Sequence, residues 1–319
     1  MKVLVLSEHD VDELLTMGEC IEVMEDALAA LARGEVHNPL RQAIRAPGAP
    51  GILGLMPAWR GGAEPYYALK EVCVFPENPK RGLDTHLGAV ILHSGETGEP
   101  LAMMNAAAIT AIRTAAVSAV ATKLLARKDA GVLAILGSGA QARSHLEAIP
   151  LVRQLREVRV YGRSRDKAAA LGAQVSDSAK DAVRGADIIV TATNSKEPIL
   201  KREWISPGAH INAVGSSVAF ARELDGATVA AASLFVDRRE STVNESGDYL
   251  FALREQAIRG PEHIRAELGE ILVGQAQGRK SEDEITLFKS LGLAVEDLAA
   301  AAFLYGKARR LGRGTMVPF

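Results

Sequence analysis

Cysteine is scarce: Cys20 and Cys73 are the only two in 319 residues. They stand far apart, which excludes a disulfide-stapled scaffold and points to a reducing compartment. The seven histidines are scattered without ligand spacing, so no metal site is expected. An excess of one charge is missing too. The formal net charge is -2, and Lys and Arg are spread along the chain rather than gathered in a stripe, so no nucleic-acid partner is expected. No uninterrupted apolar stretch approaches the roughly 20 residues of a membrane helix, and the apolar run in "MKVLVLSEHD" is shorter than a signal-peptide core. A cytoplasmic protein with no membrane partner is expected. No internal repeat or low-complexity segment is present.

What is there is ordinary for a globular chain, with 48% hydrophobic and 24% charged residues. At about 150 residues per domain the length points to two domains. In "SEHDVDELLTMGECIEVMEDALAALARGEV" apolar residues recur at helical spacing and Gly34 follows as a stop, predicting a helical pair. Residues 38–105 read as short strands punctuated by Pro and Gly, with a hairpin turn in "HSGETGEPLAMMN". The alanine-rich "AAAITAIRTAAVSAVATKLLARKDA" predicts a long helix bridging two domains. Alternating units follow: strand "GVLAILG", a helix over 141–155, strand "VRVYGR", helix "RDKAAALGA", strand "ADIIVTAT", then "HINAVGS" and "SLFVDR". Such alternation implies a parallel sheet with helices on both faces. Beyond Thr242 the pattern is irregular, and the stretch ending in the last alanine-rich helix looks more like the first domain than like the sheet.

Gly137, Gly139 and Ala142 spell G-x-G-x-x-A between a strand and a helix. The first glycine permits a tight turn, the second lets backbone approach a pyrophosphate, and the small third residue lets helix pack on strand. The helix N-terminus offers free N–H groups to the anion. A second strand arrives on schedule at Val158, so the segment is read as a dinucleotide site. At the end of that strand stand Gly162, Arg163, Ser164 and Arg165, with no carboxylate to hold ribose hydroxyls. Asp166 comes later, where it would cap the next helix. Two guanidinium groups and a hydroxyl suit a 2′-phosphate, which favours NADPH and leaves NADH possible.

Other candidates stay open between two readings. Arg113 and Thr114 amid alanines fit either a surface face or a buried anion contact. Lys70, after "YYAL", is either a solvated strand-edge lysine or a proton donor or carboxylate anchor with a depressed pKa. Arg41 is a surface arginine or a carboxylate clamp, and His86 a structural histidine or a proton shuttle. Trp204 is read as a packing residue near a strand edge.

The segments "LMP", "YALK", "ITAIRTAA", "LGSGAQA", "ADIIVTAT", "PGAHINAVGS", "ARELD" and "EITLFKSLGLAVEDLAAAAF" resemble the ornithine cyclodeaminase and mu-crystallin family from about Leu40 to Ala308. The resemblance implies an α/β fold: a Rossmann-type, doubly wound parallel sheet domain (116–296) inserted into a smaller α+β substrate-binding and dimerisation domain (1–115 plus 297–319), assembled as a homodimer. It implies that Arg41, Lys70 and Arg113 bind a substrate carboxylate and that Leu291 touches substrate. Thr85, Arg113, Thr114, Gly137, Ser138, Gly139, Ala140, Gln141, Thr193, Val214, Gly215, Ser216 and Ser290 fall at its cofactor-contacting positions. Cyclodeaminases of the family carry a catalytic Asp after "NAVG" and a Glu just before "LMP". This chain has Ser216 and Ser217 at the first place and Gly54 at the second. Without those carboxylates, activation of an amine and expulsion of ammonia lose their proton carriers. The expected reaction is therefore simpler: hydride transfer from NADPH to a cyclic imino acid, pyrroline-2-carboxylate or piperideine-2-carboxylate, giving proline or pipecolate, with Lys70 or His86 managing the proton. A cyclodeaminase, an alanine- or opine-forming dehydrogenase, and a non-enzymatic NADPH-dependent binding protein are the alternatives.

Overall fold

The computed structural model describes residues 1–319, the side chain of residue 79 excepted. The chain forms two compact units, Met1–Arg113 with Leu293–Phe319, and Thr114–Gly292. The sequence reading draws these boundaries at 115/116 and 296/297.

The first unit is built on a mixed eight-stranded sheet. Its order is Thr315–Pro318, Lys2–Leu6, Pro100–Asn105, His86–Ser94, Tyr66–Val74, Ile52–Arg60 and Val36–His37, with Gln42–Ile44 also paired to Ile52–Arg60. The N-terminal apolar run is thus a strand, and the expected hairpin turns at Gly98, whose φ of 76° suits glycine. Helices Glu8–Leu14 and Met17–Ala32 each open with a capping box, Ser7 with Asp10 and Thr16 with Glu19. Met17–Ala32 and the C-terminal helix Ala294–Leu311 pack together, and the latter lies against the central strands. Side chains alternate across a strand. Met56, Lys70, Val90 and Met104 therefore form one cross-strand row on the buried face, and Lys70 is its only charged member.

The second unit holds an eight-stranded sheet whose pairs are all parallel. The order is Gln174–Val175, Glu157–Tyr161, Val132–Leu136, Ile188–Thr191, His210–Ala213, Thr286–Lys289, Ser233–Val236 and Ile264–Glu267. Val132, Ala134 and Leu136 enter one apolar cluster and Leu133 and Ile135 another, so both faces are covered.

Several expectations need correction. The helix read over 141–155 is Ala140–Ala148 plus a 3-10 turn at Ile149–Leu151, because Pro150 has no N–H to continue it. The next helix is only Arg165–Ala169, and its cap is Ser164, not Asp166, which lies in the first turn. Thr286–Lys289, in the stretch assigned by pattern to the first domain, is an interior strand of the parallel sheet. The alanine-rich helix runs Ala106–Leu125, beginning in the first unit and ending in the second. It is long and apolar enough by length and mean composition to cross a membrane, although Arg113 and Lys123 interrupt its apolar run, and most of it is buried in the protein core.

Candidate functional site

Two clusters carry chemistry, one in each unit. In the first, Lys70 belongs to an interior strand and is 4% exposed. Its Nζ donates to Thr110 Oγ1 at 2.6 Å and to Asp297 Oδ1 at 3.1 Å. Arg113, nearly one helical turn beyond Thr110, donates from Nη1 to Glu296 Oε2 at 2.8 Å and from Nε to Asp297 Oδ1 at 3.2 Å. A single carboxylate oxygen thus receives both cations. Glu296 and Asp297 stand in the first turn of the C-terminal helix, where negative charge also meets the helix dipole.

Burial lowers the Lys70 pKa to about 8; Asp297 opposes that fall, and the charges of Arg113 and Arg41 add to it. Arg41, half-buried just before strand Gln42–Ile44, is therefore close enough to act on Lys70. His86 opens the neighbouring strand. The register pairs Lys70 with Val90 and Val74 with His86, which puts the imidazole on the same sheet face as Lys70. Its pKa is lowered, first by desolvation and second by the Lys70 charge. Thr85, one residue earlier, accepts from the Phe75 N–H through its carbonyl at 2.9 Å. Lys70, Arg113 and Arg41 are like charges that repel one another, and the carboxylates of Glu296 and Asp297 offset that repulsion. Gly54 lies on this same face, opposite Val72. A Cβ there would make ordinary contact with Val72 Cγ1 at 3.4 Å, so the backbone has room for a side chain that this sequence does not supply.

In the second unit the candidates collect at the carboxyl ends of the parallel strands. Gly137 has φ 144°, and a Cβ on it would lie 2.5 Å from the Ala192 carbonyl oxygen. Only glycine makes this turn without strain. A Cβ at Gly139 would meet nothing within 4 Å, and helix Ala140–Ala148 has no side-chain cap. The N–H groups of Ala140 and Gln141 thus head a helix approached over open backbone, which fits a pyrophosphate. Val132–Leu136 lies between Glu157–Tyr161 and Ile188–Thr191, where the strand order reverses, the usual crevice for a dinucleotide in such sheets. Gly162 packs on this turn: a Cβ there would lie 2.7 Å from Ser138 Oγ. Beyond it Arg163 is exposed and donates to Asn194 Oδ1 at 3.3 Å, while Arg165 pairs with Asp177 at 2.7 Å.

Thr193, then Val214, Gly215 and Ser216, then Ser290 and Leu291 follow successive strands at the same edge. Val214, Ser290 and Leu291 are buried, as is Thr114 on the alanine-rich helix. The Leu291 N–H donates to Asp237 Oδ2 at 2.6 Å.

Sequence reasoning missed Thr110, Glu296 and Asp297 in the first unit and Glu223, Asp248 and Lys289 in the second. The one visible signal was an acidic pair opening an otherwise apolar helix at "LAVEDLAAAAF".

Residues 1–311 match the ornithine cyclodeaminase/mu-crystallin family. The mouse ketimine reductase mu-crystallin is 40% identical over 310 residues, 94% of this chain and 96% of the relative. The structure of Thermococcus litoralis Delta(1)-pyrroline-2-carboxylate reductase, in complex with NADH and L-proline, aligns with a TM-score of 0.93 at 41% identity, over 98% of this chain and 99% of that one. An archaeal alanine dehydrogenase dimer with bound NAD aligns with a TM-score of 0.94 at 35% identity over the whole of both chains.

Proposed function

The chain belongs to the ornithine cyclodeaminase/mu-crystallin family, and from that premise we propose that it reduces cyclic imino acids, pyrroline-2-carboxylate or piperideine-2-carboxylate, to proline or pipecolate. The observation that carries the reading is the buried pairing of Lys70 and Arg113 on Asp297, with Arg41 in the same field and no side chain at Gly54. Met1–Arg113 with Leu293–Phe319 is the substrate-binding and dimerisation domain, and Thr114–Gly292 the cofactor domain.

A nicotinamide cofactor, when bound, supplies the hydride that adds to the imine carbon. The backbone of Gly137 to Gln141 would hold its pyrophosphate, with Thr193, Val214 to Ser216 and Ser290 beyond. Arg163 and Ser164 at the strand end, with no carboxylate there, favour NADPH over NADH; Arg165 is already paired with Asp177 and contributes less. In the substrate domain Arg41, Lys70 and Arg113 neutralise the carboxylate and fix the ring. The imine nitrogen must carry a proton so that its carbon becomes electrophilic enough to accept the hydride, and that proton stays on the ring amine of the product. Lys70, with a pKa near 8, holds such a proton at neutral pH and releases it more readily than an ordinary lysine. His86, on the same face, can return it from solvent. The lack of carboxylates at Gly54 and Ser216–Ser217 speaks against cyclodeamination. The scarcity of thiols supports a cytoplasmic location.

The test follows cofactor oxidation with both imines, NADPH beside NADH, together with ammonia release from ornithine. Reduction without ammonia is expected, faster with NADPH, and Lys70→Ala should lower kcat/KM by on the order of a hundredfold or more with the fold intact. Ammonia from ornithine with no imine reduction overturns the reading.

A further inference from the structure

The proposed function leaves unused a group of charged side chains sealed inside the cofactor domain. Glu223 is fully buried, and its carboxylate accepts three hydrogen bonds: from Thr191 Oγ1 to Oε2 at 2.7 Å, and to Oε1 from the Thr193 N–H at 2.6 Å and Thr193 Oγ1 at 2.7 Å. Asp248 Oδ1 accepts from the N–H groups of Glu223 and Leu224 at 2.8 and 2.9 Å, which fixes the Glu223 backbone. Lys289 pairs with Asp248 Oδ2 at 2.9 Å and donates to the Gly215 carbonyl at 2.8 Å. The Thr191 carbonyl accepts from Gly215 N–H at 3.1 Å and the Thr193 carbonyl from Ser216 N–H at 3.0 Å. Gly215 cannot be anything larger, since a Cβ would run into the Thr193 backbone and lie 2.6 Å from Glu223 Oε1. The ends of three strands are thereby tied to one another: the segment after Ile188–Thr191, the turn after His210–Ala213, and Lys289 at the end of Thr286–Lys289. Ser216, at the tip of that turn, holds φ 49°, a left-handed conformation that a side chain adopts only when its surroundings impose it.

A dinucleotide lying across the switch point puts its adenosine half over the strands on the Glu157–Tyr161 side and its nicotinamide half over those on the His210–Ala213 side. We propose that Glu223 is a positioning residue for the nicotinamide half: its carboxylate, braced by Asp248 and Lys289, holds Thr193 and the Gly215–Ser216 turn in the shape that receives the ring and its ribose. The proposal rests on the reading of this edge as a nicotinamide cofactor site. It predicts an effect confined to one end of the ligand, which a general loss of stability cannot produce.

Dissociation constants are measured by fluorescence or calorimetry for whichever of NADPH and NADH the wild type binds more tightly, and for the ADP fragment of that same cofactor (2′-phospho-ADP for NADPH), which lacks both the nicotinamide and its ribose. Glu223→Ala should weaken the whole cofactor on the order of tenfold, the loss expected when buried charged hydrogen bonds go, and leave the fragment within about twofold. Glu223→Gln keeps an acceptor for the Thr193 donors and can donate to Thr191 Oγ1, so it should restore most of the affinity. Thr191→Val, which removes only the bond to Oε2, gives a milder change in the same direction and serves if Glu223→Ala does not fold. Equal weakening of cofactor and fragment, or no weakening in any variant, overturns the proposal. A wild type that binds neither overturns instead the reading on which it rests.

Discussion

Lys70 and Asp297 make a sharp case at the scale of single residues. An ordinary lysine keeps its proton to about pH 10.4, whereas Lys70, desolvated and beside Arg113 and Arg41, loses it near 8. If the cation anchors the substrate and carries the proton, imine reduction falls as pH rises through about 8. Asp297 is the group that holds this pKa up, so Asp297→Asn lets it drop further. We expect the alkaline limb of kcat/KM in Asp297→Asn to move to lower pH than in the wild type, with the KM for the imine raised severalfold as Arg113 loses one partner. Titration of the imine is common to both proteins and cancels in the comparison. A limb that stays in place would remove Lys70 from the rate equation. The sequence made Lys70, Arg41 and Arg113 legible as candidates because charge in an apolar setting stands out. It did not make Asp297 legible, because an acid in the first turn of a helix is the commonest complement to the helix dipole and says nothing of a lysine 227 residues away.

Single elements show where pattern suffices and where it fails. The glycine turn was readable since each residue in it has a separate steric reason. Thr286–Lys289 was not, because a four-residue strand buried on both faces has no alternation to betray it. The turn itself separates fold from binding. Gly137 is bound by its φ and by Ala192, so any side chain there strains the backbone. Gly139 has φ -97° and open space around its missing Cβ. Gly139→Ala should therefore leave the melting temperature within about 2 °C, since surface changes usually stay within about 0.5 kcal/mol. Cofactor affinity should fall on the order of tenfold or more, as the methyl stands where a pyrophosphate approaches. Thermal unfolding beside cofactor titration checks both halves. A large loss of stability, or undiminished binding, would mean the turn serves packing alone.

For the whole molecule, the division into two units was expected mainly from family resemblance, and a homodimer from it alone. A physical reason to expect a partner is on the first unit's sheet. One face is covered by the helices, but the row formed by Pro57, Leu69, Ile91 and Met103 points the other way, and Met103 is 45% exposed. Tyr67 and Leu87 on the same face are also exposed, at 52% and 42%. An apolar sheet face left open to water invites a partner, and a second copy of the same sheet is self-complementary about a two-fold axis. The alternation of residues that revealed the strands could not reveal this, since both faces are apolar and only the helices decide which one is covered. Met103→Asp puts a charge in the middle of the open face without touching the buried row that contains Lys70. In light scattering coupled to size exclusion, the wild type should run as a dimer and Met103→Asp as a monomer or a dimer weakened at least about a hundredfold, since an unpaired buried charge costs several kcal/mol. A wild-type monomer, or a Met103→Asp dimer of unchanged affinity, would show that this face meets solvent rather than another subunit.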